Sequence, residues 1–283
     1  MNIDAHQHFW RFDPRRDTWI GSEMSVLKQD FLPQDLLPLL AANGMEASIA
    51  VQADQSERET EFLLDCAARH PEIAGVVGWI DLRAPNVRER LAYFSRFEKL
   101  RGVRHIVQSE PDDRFLLRED FCRGIRCLRE FRLTYDVLIY PKQLAAASEF
   151  VARFPDQPFV IDHLAKPDVR TKDLTNWSSC VRAIAACPNV SCKLSGLVTE
   201  CDWRNWTPAD CKPCLDLVFD AFGIERLMFG SDWPVCLLAG SYAQVKSLIT
   251  DYTSGLAQAD REKIFGLNAA RIYGLRTSHG FAA

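Results

Sequence analysis

Near its start the chain reads Ile3-Asp4-Ala5-His6-Gln7-His8-Phe9-Trp10, a short buried-type run that ends in two histidines two residues apart. Runs of the same kind recur at residues 47–52, 73–80, 102–107, 133–139, 159–163, 190–195 and 227–230. Most are rich in Val, Ile and Leu, as parallel strands covered on both faces must be. Amphipathic stretches lie between them. In residues 57–70, Phe62, Leu63, Cys66 and Ala67 recur at helical spacing, and Phe121, Ile125 and Leu128 do so in residues 119–132. Residues 208–222 repeat the pattern, with Gly223 as a stop. Eight alternations of strand and helix predict an α/β fold, the (β/α)8 TIM barrel. An open doubly wound sheet is the alternative, weakened because no G-x-G-x-x-G turn follows any strand.

The 283 residues suit one barrel domain spanning 1–283, with residues 276–283 as a frayed tail. The composition, 47% hydrophobic and 25% charged, argues against disorder. A net charge of −4 without a basic stripe argues against nucleic acid as a partner. No apolar stretch reaches membrane-spanning length and no secretory signal is visible, so a cytoplasmic protein without a membrane partner is expected. The ten cysteines include one CxxC, Cys211 to Cys214, with no second pair for zinc and no thioredoxin-like context. Ordinary helical thiols are the expectation. Residues 9–31 form an unusually long connection after the first strand, of the kind that builds lids and substrate contacts at a barrel mouth.

His6 and His8 carry the strongest chemical signal. Residues i and i+2 of a strand share a face, so both imidazoles should project together into the mouth, where they suit one divalent ion, zinc above all. Hydrogen bonding to substrate is the other use of such a pair. Asp232 ends the eighth run and should lie beside the first strand in a closed barrel. There a carboxylate can take a proton from water, bind the metal or do both, although a helix cap reads similarly. His163, ending the sixth run, can donate to an oxyanion, ligate metal or be structural. Lys166 can bind a substrate oxygen or stay solvated. Of the neighbours Arg104 and His105, at most one should face the mouth. Trp10, Trp79 and Trp233, with other tryptophans, map near the active face, where they can line a sugar-like ligand or simply pack the loops.

Taken together, these motifs resemble the amidohydrolase superfamily, in its branch of sugar-lactone hydrolases, and most of all the L-fuconolactonases. The resemblance is carried by residues 3–10, Gly78-Trp-Ile-Asp-Leu82, Gly102-Val-Arg-His-Ile106, Asp162-His-Leu-Ala-Lys-Pro167, Lys193-Leu-Ser-Gly196, Phe229-Gly-Ser-Asp-Trp-Pro234 and Asn268-Ala-Ala-Arg-Ile-Tyr-Gly274. It implies a lactonase acting on a small sugar lactone. His6, His8 and Asp232 would form the metal or catalytic centre, Asp232 would be the base, and His163 would be the sixth-strand histidine. The fifth run lacks the superfamily's histidine and the fourth lacks its bridging lysine, which implies at most one metal. The branch also includes enzymes that work without metal. A metal-dependent decarboxylase and a non-catalytic sugar-acid-binding barrel are the rival readings. The sequence leaves the oligomeric state open.

Overall fold

The structure, a computed structural model, describes residues 1–277, 280 and 281, with side chains described through residue 275. Eight parallel strands pair in chain order: β1 (Ile3–Gln7), β2 (Ala47–Val51), β3 (Ile73–Gly78), β4 (Leu100–His105), β5 (Thr134–Val137), β6 (Phe159–Ile161), β7 (Val190–Leu194) and β8 (Leu227–Phe229). A helix follows each strand: α1 (Pro33–Ala42), α2 (Glu57–Arg69), α3 (Val87–Phe94), α4 (Glu119–Leu128), α5 (Leu144–Ala152), α6 (Thr175–Ala185), α7 (Pro208–Phe222) and α8 (Tyr242–Tyr252). The ring closes just beyond β8. Gln7 bridges to Trp233, the Asp232 N–H donates to the His6 carbonyl at 2.8 Å, and the His8 N–H donates to the Trp233 carbonyl at 2.7 Å. The expected TIM barrel is the fold.

Local signals set the element ends. The Ser56 hydroxyl accepts the Glu59 N–H at 3.2 Å and starts α2. Thr207, Pro208 and Asp210 form the start of α7 in a capping arrangement. The expected helix over 119–132 stops at Leu128 and tightens into a 3-10 turn, Arg129–Phe131. Cys211 and Cys214 are buried free thiols on α7, as a helical reading requires.

Apolar side chains form two shells. One lies between strands and helices. The other lines the barrel's lower interior, where Ile49, Val51, Val77, Val160 and Met228 meet Ala269, Ala270 and Tyr273. The last three come from the closing segment, where α9 (Gln258–Glu262) passes through a π-helical turn, Lys263–Leu267, into α10 (Asn268–Ile272). That segment plugs the floor of the barrel. The long connection after β1 is ordered around a backbone bridge, Trp10 and Phe31 exchanging hydrogen bonds of 2.9 Å. No helix among the described residues is long and apolar enough to cross a membrane. Of the expected frayed tail, only a short pairing of Arg276–Thr277 with Gly280–Phe281 is described; the rest, His279 included, lies outside the described residues.

Candidate active site

A β-bulge in β1 sets the direction of the histidines. Asp4 pairs with Ser48, but Gln7 already pairs with Ala50, so three steps on β1 oppose two on β2. Ala5 therefore stays with the inner apolar shell while His6 also turns inward. His8 follows His6 on the same side, and the two Nε2 atoms lie 3.1 Å apart. The His8 Nδ1–H donates to the Val51 carbonyl at 2.7 Å, which leaves His8 Nε2 as a bare acceptor.

Asp232 arrives from the chain beyond β8. Its backbone is left-handed, at φ 56°, and its Oδ1 stands 3.3 Å from His8 Nε2 and 3.8 Å from both His6 Nε2 and His163 Nε2. His163 does not end β6 as the alternation suggests. The strand stops at Ile161, and His163, Leu164, Ala165 and Lys166 all take positive φ. Such a turn costs about 1 kcal/mol or more per residue, so surrounding contacts must enforce it. The Lys166 N–H closes the turn on the His163 carbonyl at 2.7 Å, and the Trp177 indole N–H donates to the Leu164 carbonyl at 2.8 Å. Across from it, His163 Nδ1 pairs with Ser195 Oγ at 2.9 Å. Gly196 makes this approach possible, since a Cβ there would lie 2.4 Å from His163 Nδ1.

Below this cluster is a fully buried layer of charge. Lys193 on β7 reaches Asp136 on β5 at 2.5 Å, Asp162 at 3.0 Å and His6 Nδ1 at 3.2 Å. Arg104 on β4 donates to Asp162 at 2.9 Å and also holds the carbonyl and side chain of Gln52. The Tyr273 hydroxyl donates to Asp136 at 2.8 Å. Two cations and two carboxylates thus balance inside the barrel, which leaves Asp232 as the surplus negative charge above them. Burial pushes the Asp136 carboxyl up to about 6, against the pull of Lys193. Burial would also raise Asp162, but Lys193, His6 and Arg104 hold it well below the usual carboxylate range. Burial keeps His6 well below its ordinary range, and His163 down to about 4, despite neighbouring carboxylates. Both rings are therefore neutral at pH 7. Asp232 is ionised there: burial opposes its charge, yet the surrounding histidines hold it below the usual range.

This donor set fits a divalent cation. His6, His8 and Asp232 each offer one buried ligand atom, all within 4.8 Å of one another. His8 Nε2 and Asp232 Oδ1 lie 3.3 Å apart, and with Nδ1 turned to Val51 both can offer a lone pair to a cation. Two tetrahedral zinc ligands at ordinary bond lengths sit roughly 3.3 Å apart, close to the spacing of the two Nε2 atoms. A second possible set, His6, Asp162 and His163, shares its carboxylate with Lys193 and Arg104, so resident cations already neutralise it.

The other residues singled out in the sequence divide. Arg104 points into the barrel; His105 points outward. There it stacks on Phe115 with ring centres 4.7 Å apart, accepts the Trp79 indole N–H at 3.3 Å and contacts Glu110 at 2.6 Å. His105 and Trp79 are thus joined to each other and not to the histidine cluster. Trp10 and Trp233 are buried in an aromatic group around Phe31, each ring centre 5.3 Å from it. They wedge the long loop against the barrel. Lys166 stands at the mouth, 3.6 Å from Glu200. Asp136 and Glu200 escaped the sequence reading, and Asp162 and Lys193 entered it only inside motifs, with no role assigned. A signal was present, because a lysine in Val-Ser-Cys-Lys-Leu and an aspartate in Thr-Tyr-Asp-Val sit in otherwise buried runs and must find partners.

Neutral imidazoles and one ionised carboxylate converging at the C-terminal mouth of a (β/α)8 barrel define an enzyme of the hydrolytic, metal-capable type. The chain belongs to the amidohydrolase family, whose profile matches residues 3–275. It is 48% identical to an L-fucono-1,5-lactonase of Burkholderia multivorans (strain ATCC 17616 / 249), over 97% of this chain and 96% of that one. An L-fucono-1,5-lactonase of Burkholderia ambifaria is 36% identical over 96% of this chain and 95% of its own. A crystal structure of a Burkholderia multivorans amidohydrolase with bound zinc superposes with a TM-score of 0.94 at 47% identity, covering 97% of this chain and 99% of that one.

Proposed function

We propose that this protein hydrolyses a sugar lactone, L-fucono-1,5-lactone or a close aldonolactone, to the open-chain sugar acid. The observation that carries the reading is the full-length likeness to the Burkholderia multivorans lactonase. The geometry supplies a route. Asp232, ionised and at the mouth, takes a proton from the water that attacks the lactone carbonyl. His163 can accept the Ser195 hydroxyl proton's hydrogen bond at Nδ1 and so present Nε2–H to the developing oxyanion, a contact worth about 3 kcal/mol. The new carbon–oxygen bond forms, the ring carbon–oxygen bond breaks, and Asp232 returns its proton to the departing alkoxide. Lys166 reaches the substrate from the rim. His6, His8 and Asp232 would hold one divalent ion, with zinc best suited to the set, and such an ion acts as a Lewis acid on the carbonyl or the water.

The test is a panel of sugar lactones followed with a pH indicator, with and without chelator, on the wild type and Asp232→Asn. Acid release by the wild type and a loss of at least ~100-fold in Asp232→Asn are expected. Near-native turnover by the variant refutes the assignment of the base. No acid release from any lactone, with metal added or removed, refutes the function.

A further inference from the structure

One half-buried acid at the mouth has no part in that chemistry. Glu200 ends the 3-10 turn Val198–Glu200 after β7, and only 18% of its side chain is exposed. Its nearest cation is Lys166, itself 16% exposed, and at 3.6 Å the two stop short of a hydrogen bond. Lys166 also lies over the Tyr140 ring, 5.2 Å from its centre. Tyr140 follows β5, Lys166 follows β6 and Glu200 follows β7, so the three occupy consecutive loops on one arc of the rim. The charge of Asp232 reaches Glu200 and adds to the burial that holds its carboxyl above the usual range.

An ordinary surface ion pair does not call for this construction. Seven non-glycine residues among those described have positive φ, and five of them are His163 to Lys166 and Asp232. The same strained turn that aims His163 at the cluster also carries Lys166 to Glu200. Two half-buried charges held just beyond hydrogen-bond length keep unused capacity: the carboxylate can accept further bonds and the ammonium can donate them. A hydroxylated lactone seated between Asp232 and the rim offers the matching groups, since its hydroxyls both donate and accept.

We propose that Glu200 is a specificity-determining residue: its carboxylate accepts hydrogen bonds from the hydroxyls of the lactone while Lys166 donates across them. This rests on the reading that the site opens sugar lactones. It predicts that the pair selects polyhydroxylated lactones over bare ones, because a substrate without hydroxyls leaves both charges desolvated and unmatched.

The experiment compares kcat/KM for L-fucono-1,5-lactone and unsubstituted δ-valerolactone in wild type and Glu200→Gln. The ratio of the two should fall about 10- to 100-fold in the variant, the range for one hydrogen bond to a charged group, with the change mostly in KM. Lys166→Gln should lower the same ratio and carries the test if Glu200→Gln does not fold. An unchanged ratio in the folded variants overturns the proposal. Calorimetry adds a readout independent of turnover: the open-chain sugar acid should bind Glu200→Gln at least about tenfold more weakly than wild type. Equal binding overturns the proposal. If the wild type opens no sugar lactone, the proposed reaction fails by itself, and the calorimetric comparison still decides the role of Glu200.

Discussion

His6 and His8 hold their Nε2 atoms 3.1 Å apart, and the Val51 carbonyl, 2.7 Å from His8 Nδ1, engages the other side of the His8 ring. The contact can then be satisfied in two ways. His6 can donate its own Nε2–H to His8 while its Nδ1 accepts from Lys193, 3.2 Å away. Alternatively, His6 can carry its proton on Nδ1, 3.2 Å from Asp162, and both Nε2 lone pairs are then free for a cation. Metal binding requires the second tautomer, which turns the Nδ1 proton toward Asp162 and against the Lys193 ammonium. A carbonyl or carboxylate behind each imidazole is the usual support of a histidine ligand.

Chelator-treated protein should therefore take up one zinc ion per chain, measured by elemental analysis after gel filtration. Saturating zinc at about 100 times its dissociation constant should add roughly 2.7 kcal/mol of stability, seen as a higher Tm. His8→Ala should lose both effects. Uptake of two ions, or undiminished uptake by His8→Ala, would contradict the assigned ligand set.

Gly196 and Gly223 separate backbone strain from site geometry. Their φ values, 62° and 67°, are nearly equal, but a Cβ at Gly223 meets nothing within 4 Å while one at Gly196 strikes the His163 ring. Replacing either by alanine should cost about 1–3 kcal/mol through the positive-φ backbone, which at Gly223, with ψ 163°, is a conformation nearly reserved for glycine. Only Gly196→Ala should also cut kcat, by about tenfold or more, because His163 must leave Ser195. Denaturant melts and lactone kinetics on both variants check this, and equal kcat losses would show that the crowding at His163 is irrelevant.

The contrast between these positions also marks what can be read from the sequence. Eight buried runs separated by amphipathic stretches leave few folds open, and the histidines of β1 carry their shared direction in their spacing. Asp232 falls into place once the barrel closes. The left-handed turn from His163 to Lys166 gives no local sign, because it contains no glycine or asparagine. It is held by Trp177, Ser195 and the bare Cα of Gly196, from other parts of the chain. The outward turn of His105 could not be told from that of Arg104, since alternation says only that they differ. Lys193 and Asp136 are conspicuous in their strands, but their meeting depends on the barrel's curvature.

That buried meeting has an energetic consequence. Lys193, Asp136 and Asp162 are wholly enclosed, so Lys193→Met strands two carboxylates with only Arg104 and hydrogen bonds to oppose them. The expected loss is about 3–5 kcal/mol by urea unfolding. Adding Asp136→Asn to Lys193→Met removes one uncompensated charge and should restore part of the loss. A double variant no more stable than the single one would mean that the network owes little to charge balance.

Glu59 should make stability pH-dependent away from the site. Its side chain is 5% exposed at the start of α2 and accepts the Ala53 N–H at 3.0 Å. Burial, with a smaller contribution from the Asp54 charge, pushes its carboxyl from the ordinary 4.5 up to about 7. The folded protein therefore binds this proton more tightly than the unfolded chain does. The resulting stability is complete below pH 4.5 and is lost as pH rises through 7. Glu59→Gln keeps an oxygen for Ala53 and has no charge to bury. Its stability relative to wild type should rise between pH 5 and pH 8, by an amount on the order of 2–3 kcal/mol. Parallel urea melts across that range provide the measurement. A difference that stays flat would mean that Glu59 titrates near its ordinary value, with its burial offset by Arg16 and the backbone N–H groups around it.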